Sequence, residues 1–220
     1  MLADVFGRNA DPAVVAEKMA RIRDPHVAPL NALADEIADY LDIPRGHVPY
    51  VDPDVGGVNA RMLVLLDNPS SRAEAGTGSG LLSLDNDDRT ARNCREAYAE
   101  HGIDWSDVVH WNVVPFPVAD TNGGSTPGER GRGARWTREL VDRLPHLEIV
   151  LLLGYAARDG WDRAGIQRVL YRPDQFVPGG KVPHCSQRGL ADPDRRQAFH
   201  TALEDVAERL RAKLGSIPTV

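Results

Sequence analysis

Asp67 and Asn68 follow directly on five apolar residues, 62–66, and are themselves followed by Pro69; Asn112 interrupts a second apolar run, 107–114, and His184 sits in a later one, 181–186. Carboxylate, carboxamide and imidazole are groups that move protons and match the donors and acceptors of a polar, uncharged ring. An amide such as Asn112 inside a buried strand must satisfy its hydrogen bonds or cost stability, which marks it for ligand contact. The acids of "DNDD", Asp85, Asp87 and Asp88, are open to two readings: a reacting carboxylate, or an N-cap and first-turn charges for the helix that follows. Asn68 and Pro69 serve equally to turn the chain after a strand, and the two ring nitrogens of His184 to tie loop backbone together.

These residues need elements to position them. Four segments rich in Val, Ile and Leu and bounded by turn residues read as strands: 62–67, 107–114, 148–154 and, with the thinnest pattern, 181–186. Helical patterns lie between and around them. Residues 88–101 open on an acid and close on Gly102, 135–144 stop at Pro145, and 155–165 follow Gly154. A tail helix starts near Pro193 and ends before Gly215; ahead of the first strand, 28–41 reads as a helix and 44–57 as an extended, turn-rich approach. Strands alternating with helices predict parallel pairing and right-handed crossovers. The expected fold is α/β, three-layer α/β/α, with a central, mainly parallel four-stranded sheet. It forms a single domain over 1–220 with an N-terminal helical extension at about 1–44. In such a sheet the ligand site lies outside the carboxyl ends of the strands. One mouth is therefore expected to gather Asp67, Asn68, Asp85, Asp87, Asp88, Asn112 and His184.

Composition bounds the function. Hydrophobic content of 42% and charged content of 26% match a globular domain, and no apolar run approaches the roughly 18 residues of a membrane span. Without a basic segment leading into an apolar one at the N-terminus, a cytoplasmic protein is expected. Two cysteines, Cys94 and Cys185, cannot build a four-thiolate centre and are expected as reduced thiols. A net charge of −6 argues against a surface coated with basic groups. Locally, 128–138 carries Arg130, Arg132, Arg135 and Arg138 against Glu129: either a nucleic-acid contact or a solvated loop running into a helix. "GTGSG" lacks the following Gly-Lys-Ser/Thr of a phosphate loop.

The order of motifs across roughly 45–210 resembles the uracil-DNA glycosylase superfamily. "DNPSS" is similar to its first motif, "NVVPF" to the second-strand segment whose Asn reads the uracil edge, and "LLLG" to its third-strand segment. "HCSQRGL" resembles the segment that carries an essential His and a DNA-wedging loop. The resemblance implies hydrolysis of the base–sugar bond of uracil or a related deaminated base, flipped out of single-stranded or mismatched DNA. It also implies a metal-independent reaction with no cofactor, no membrane partner and a monomeric enzyme. Such a reaction makes an oxocarbenium-like sugar and a base anion. His184 would donate to the carbonyl oxygen that gains charge, Asn112 would pair with the base edge, and Asn68 or Asp67 would position water. By the same resemblance Leu190 or Arg188 fills the space left in the duplex, while backbone amides and Ser186 hold phosphates, with Gln187 in the same segment. Arg132, from the basic stretch, is a further expected DNA contact.

Departures from the pattern are as informative. Asn68 stands where the most active branch has Asp, so an acid of the second stretch, Asp85, Asp87 or Asp88, becomes the candidate base, with Asp87 the central choice. The aromatic that stacks on the base is replaced by Leu81 or Leu82, unless Phe116 or Trp111 takes over. Cys185 follows His184 where Pro is the pattern, and the iron–sulfur cysteines of some branches are absent. These departures keep a second expectation open, a catalytically weak or inactive nucleic-acid or nucleobase-binding protein on the same fold.

Overall fold

In the computed structural model, which describes residues 6–118 and 124–214, helices α1 (Pro12–Ala20) and α2 (Ala28–Leu41) precede β1 (Tyr50–Val51), β2 (Met62–Leu66) and β3 (Leu81–Leu82). Then follow α3 (Arg89–His101), β4 (Val108–Asn112), α4 (Pro127–Asp142), β5 (Ile149–Leu152), α5 (Tyr155–Ala164) and α6 (Pro193–Leu214). β2 is the centre of a three-stranded parallel sheet ordered β4-β2-β5, with Leu66 opposite Asn112 and Leu65 opposite Leu152. No described helix is long and apolar enough to cross a membrane.

Alternation along each strand divides the interior in two. Leu63, Leu65, Val109, Trp111, Val150 and Leu152 pack with Leu30, Leu33 and Ile37 of α2, Trp136 and Leu140 of α4 and Trp161 of α5. Met62, Val64, Val108, Ile149 and Leu151 face the other way, onto Cys94, Ala97 and Tyr98 of α3 and Phe199, Leu203 and Val206 of α6. Helices on both faces explain why these strands read as unbroken apolar runs. The helices of the first 44 residues are integral to this packing: Leu30, Leu33 and Ile37 are fully buried.

Three differences from the sequence expectation have physical causes. Residues 181–186 form no ladder, so the sheet has three strands rather than four among the described residues. Only one sheet-like bond is kept, from the Gly154 N–H to the Val182 carbonyl at 3.0 Å. Pro183 has no donor, the Ser186 N–H goes to the His184 ring, and the Cys185 carbonyl accepts from the Asn93 amide at 2.7 Å. With its backbone groups engaged by side chains, the segment has little left to pair with a neighbour. A second, two-stranded parallel sheet instead joins β1 to β3, in stretches without a strand pattern.

α4 begins at 127 rather than 135. Pro127 at its first turn and a reciprocal capping box between Thr126 and Glu129 nucleate it despite the glycines. Packing requires one of those glycines, because a Cβ on Gly133 would lie 2.0 Å from the Val113 carbonyl oxygen, so only glycine lets α4 rest on the end of β4. The glycine- and arginine-rich stretch is therefore helix, not a solvated loop.

Candidate functional site

A cavity of about 130 Å³ opens at the carboxyl ends of β2 and β4. Its wall includes Asn68, Leu82, Asp88, His110, Asn112 and His184, with Pro69, Ser83, Asn86 and Cys94 among its other lining residues. That volume is comparable to that of an apolar cavity of about 150 Å³ able to admit one benzene ring. Groups from five separate segments, after β2, around β3, on α3, at the end of β4 and in the 181–186 loop, thus meet around one ring-sized space.

Asn112 is the last residue of β4 and is 4% exposed. Its Oδ1 is buried without a hydrogen-bond partner. Such an orphan is rare in a folded protein and calls for a ligand or a water. His184 is fixed by its neighbours. The Ser186 backbone N–H donates to its Nδ1 at 3.1 Å, so in the neutral ring the proton sits on Nε2. Burial lowers its pKa below the usual imidazole range, against the opposing pull of Asp67 and Asp88, so the ring is a neutral Nε2–H donor near pH 7. Gly154, after β5, permits this placement: its φ is +90°, and a Cβ there would stand 3.2 Å from the His184 Cβ. Asn68 donates through Nδ2 to the Pro69 carbonyl at 3.1 Å, holding the amide against the cavity mouth.

The acids separate sharply. Asp67 lies off the wall, its carboxylate accepting from the backbone N–H of Ser125 at 3.1 Å and from the Ser125 hydroxyl. Asp85 is fully buried and neutralised by Lys18 at 2.8 Å, by Arg8 at 3.3 Å and by Arg95. Asp87 is exposed beside Gly7, away from the cavity. Asp88 is the only carboxylate on the cavity wall among the described residues. It also caps α3, accepting from the Ala91 N–H at 2.9 Å through one oxygen. The acid of "DNDD" that caps α3 is thus also the one that lines the cavity.

Leu82 lines the cavity, while Phe116 is buried in the α2/α4 core beneath the Arg132 guanidinium, 5.5 Å from its ring centre. Trp111 projects to the face opposite Asn112. No phenyl, phenol or indole ring of the described residues therefore reaches the wall. Leu190, expected to enter the duplex, is 7% exposed and packs in the α3/α6 core, whereas Gln187 and Arg188 are exposed. Ser186 accepts from the Gly189 N–H at 3.2 Å through its hydroxyl. In the arginine stretch, Arg130 is buried against Asp159 at 2.6 Å, and Arg135 stacks on Trp136.

Two wall residues were missed at the level of sequence. His110 stands two before Asn112 on β4, so strand alternation puts both on one face, a signal that was readable. Its Nε2 pairs with the Tyr98 hydroxyl at 3.0 Å, and its Nδ1 is buried without a partner. Cys94 had no such signal. Its sulfur lies 3.3 Å from that of Cys185, both thiols being free and buried. The neighbouring Cys185 thiol, with help from His110 and Tyr98, draws Cys94 below the ordinary thiol range against the effect of burial. No family model matches this chain, and no curated protein matches it.

Proposed function

We propose that this chain is a uracil-DNA glycosylase-type hydrolase, acting as a monomeric cytoplasmic enzyme of three-layer α/β/α architecture on uracil or a related deaminated base flipped out of single-stranded or mismatched DNA. The observation that carries the reading is the meeting, around one ring-sized cavity, of the Asn112 amide, whose Oδ1 is buried without a partner, and a His184 ring whose proton is held on Nε2. A carboxamide offers one donor and one acceptor, the complement of a uracil edge and a mismatch for cytosine. As the bond to the sugar breaks, negative charge collects on the base oxygen, and the neutral Nε2–H of His184 is the donor for it. Asn68 orients the attacking water, and the free oxygen of Asp88 accepts its proton.

The bare wall favours a second reading. Without an aromatic ring to stack on the base, and with Asp88 half engaged as a cap, the chain is a nucleobase- or DNA-binding protein of the same architecture. Incubating the purified chain with single-stranded and mismatched oligonucleotides bearing uracil, hypoxanthine or xanthine separates the two. Release of base, lost in His184→Ala, supports the hydrolase. Binding without release supports the second reading, and neither binding nor release in any strand context overturns both.

A further inference from the structure

On the side of α3 and α6 away from the cavity, three potential ligands converge. The Nε2 of His101 lies 3.1 Å from the Nδ1 of His200, which is 3.4 Å from the Glu100 Oε2, and all three atoms fall within 4.8 Å of one another. Glu100 and His101 end α3; His200 comes from the second turn of α6. We propose that Glu100, His101 and His200 form a binding site for a divalent transition-metal ion of the zinc class, which clips α3 to α6.

The geometry is the first support. Zinc takes imidazole nitrogen and carboxylate oxygen at about 2.0–2.2 Å, and tetrahedral angles then place neighbouring ligand atoms about 3.3–3.5 Å apart. The two measured separations lie close to that edge length. Proton arithmetic is the second. A single N–H between the two rings satisfies that pair and leaves Glu100 competing for the same His200 nitrogen, whereas one cation is shared by all three lone pairs. The third is the place: His101 is the last residue of α3, where the carbonyl ends of the helix favour positive charge. Phe199 meets the His200 ring edge-on, with centroids 5.6 Å apart, and restricts its rotation.

Imidazole and carboxylate suit zinc, or cobalt and nickel, rather than calcium or magnesium, which prefer all-oxygen shells. Glu204 lines the same depression one turn beyond His200 but lies outside the three-atom cluster, so water completes the shell. The ion is structural. It sits apart from the Asn112 cavity and takes no part in the chemistry proposed there, so its fate and that of the glycosylase reading are independent.

Isothermal titration of the untagged, metal-stripped full chain with zinc chloride tests the site, with cobalt(II) absorption to report the ligands. The expected result is one ion per chain, a tetrahedral cobalt spectrum without a sulfur charge-transfer band, and a melting temperature raised by metal. His101→Ala and His200→Ala weaken binding by about a hundredfold or more, and Glu100→Gln by about tenfold. A Cys94→Ser/Cys185→Ser double variant and the exposed His146→Ala bind as the parent does. Because the three ligands are partly or fully exposed, circular dichroism of the metal-free variants is expected to match the parent, so lost binding is not lost folding. Absence of saturable uptake up to millimolar zinc overturns the proposal. So does uptake that survives His200→Ala but vanishes in the double cysteine variant, which assigns the ion to the thiols.

Discussion

Two buried polar clusters lie within a few residues of each other: one is a charged network whose carboxylates all meet cations, the other holds neutral side chains with atoms that meet nothing. Around Lys18, which is 1% exposed, Asp52 stands at 2.7 Å, Asp85 at 2.8 Å and Asp54 at 3.3 Å. Arg21 and Arg95 share the carboxylates, and Ser83 bonds to Asp52. Around the cavity, by contrast, the Asn112 Oδ1 and the His110 Nδ1 are buried with nothing to meet them. The first cluster is complete without a ligand and serves the fold, tying α1 to the loop after β3 whose Ser83 and Asp88 face the cavity. The second is incomplete and is where a ligand is wanted. Burial of polar groups alone does not mark a site, and a single orphan does not either, since the Trp111 Nε1 and the Asn9 Oδ1 are also buried without partners away from the cavity wall; what sets the cavity apart is two orphans facing one space.

The largest expected effect is on catalysis. If the unanswered groups are the working ones, His184→Ala reduces uracil release by about 10²–10³-fold, the usual loss on deleting one donor to a developing oxyanion. Its urea midpoint moves little by comparison. The satisfied cluster behaves in the reverse manner. Lys18→Met leaves the buried Asp52 carboxylate without its cation, while Asp85 keeps Arg8 and Arg95, and is expected to destabilise the chain by about 3–5 kcal/mol in urea unfolding. A Lys18→Met protein with an unchanged midpoint breaks the comparison. Asn112→Leu sharpens it, since replacing an orphaned amide with an apolar group of similar size is expected to hold or raise stability while base release is lost.

The two clusters also respond to opposite ends of the pH scale. Burial sets the folded pKa of His184 below its ordinary 6.5. The unfolded chain therefore takes up that proton first, and the stability associated with His184 is complete above 6.5 and falls as pH drops toward the folded value. For Lys18, burial opposes the charge, but Asp52 and Asp85 outweigh it and raise the pKa above 10.5. Its contribution is present below 10.5 and is lost as pH rises through the folded value. Urea midpoints across pH, for the parent and each variant, are expected to show an acid limb that His184→Ala flattens and an alkaline limb that Lys18→Met flattens.

Smaller effects follow from position. Gly154→Ala forces a side chain onto His184 at a φ of +90° and is expected to cost about 1–3 kcal/mol and to slow base release by misplacing the ring. Asp87→Asn, on an exposed side chain, is expected to change stability by less than about 0.5 kcal/mol and to leave base release unaltered. A large loss of release in Asp87→Asn would restore the acid that the sequence pattern favoured and remove Asp88 from the role given to it here.

The sequence alone determined what is encoded within a few residues. The runs at 62–66, 108–112 and 149–152 are strands, and α3 begins after Asp88 and ends before Gly102, because periodicity and capping are local. That Asn68 and Asn112 share a cavity was also readable, since parallel strands deliver their carboxyl ends and following loops to one end of the sheet. His184 reaches the same cavity in a segment that is not a strand, which the strand reading did not foresee. The tertiary structure alone decided which acid faces that cavity. Asp85, Asp87 and Asp88 are near-identical in sequence terms, yet Lys18, 67 residues away, neutralises the first, solvent takes the second, and only the third reaches the wall. Likewise Leu190 turns inward to the α3/α6 core, and 181–186 forgoes a ladder once its own side chains and Asn93 occupy the backbone. The reason is the same in each case: what a side chain does depends on which distant partner satisfies it first, and that is settled only when the chain is packed.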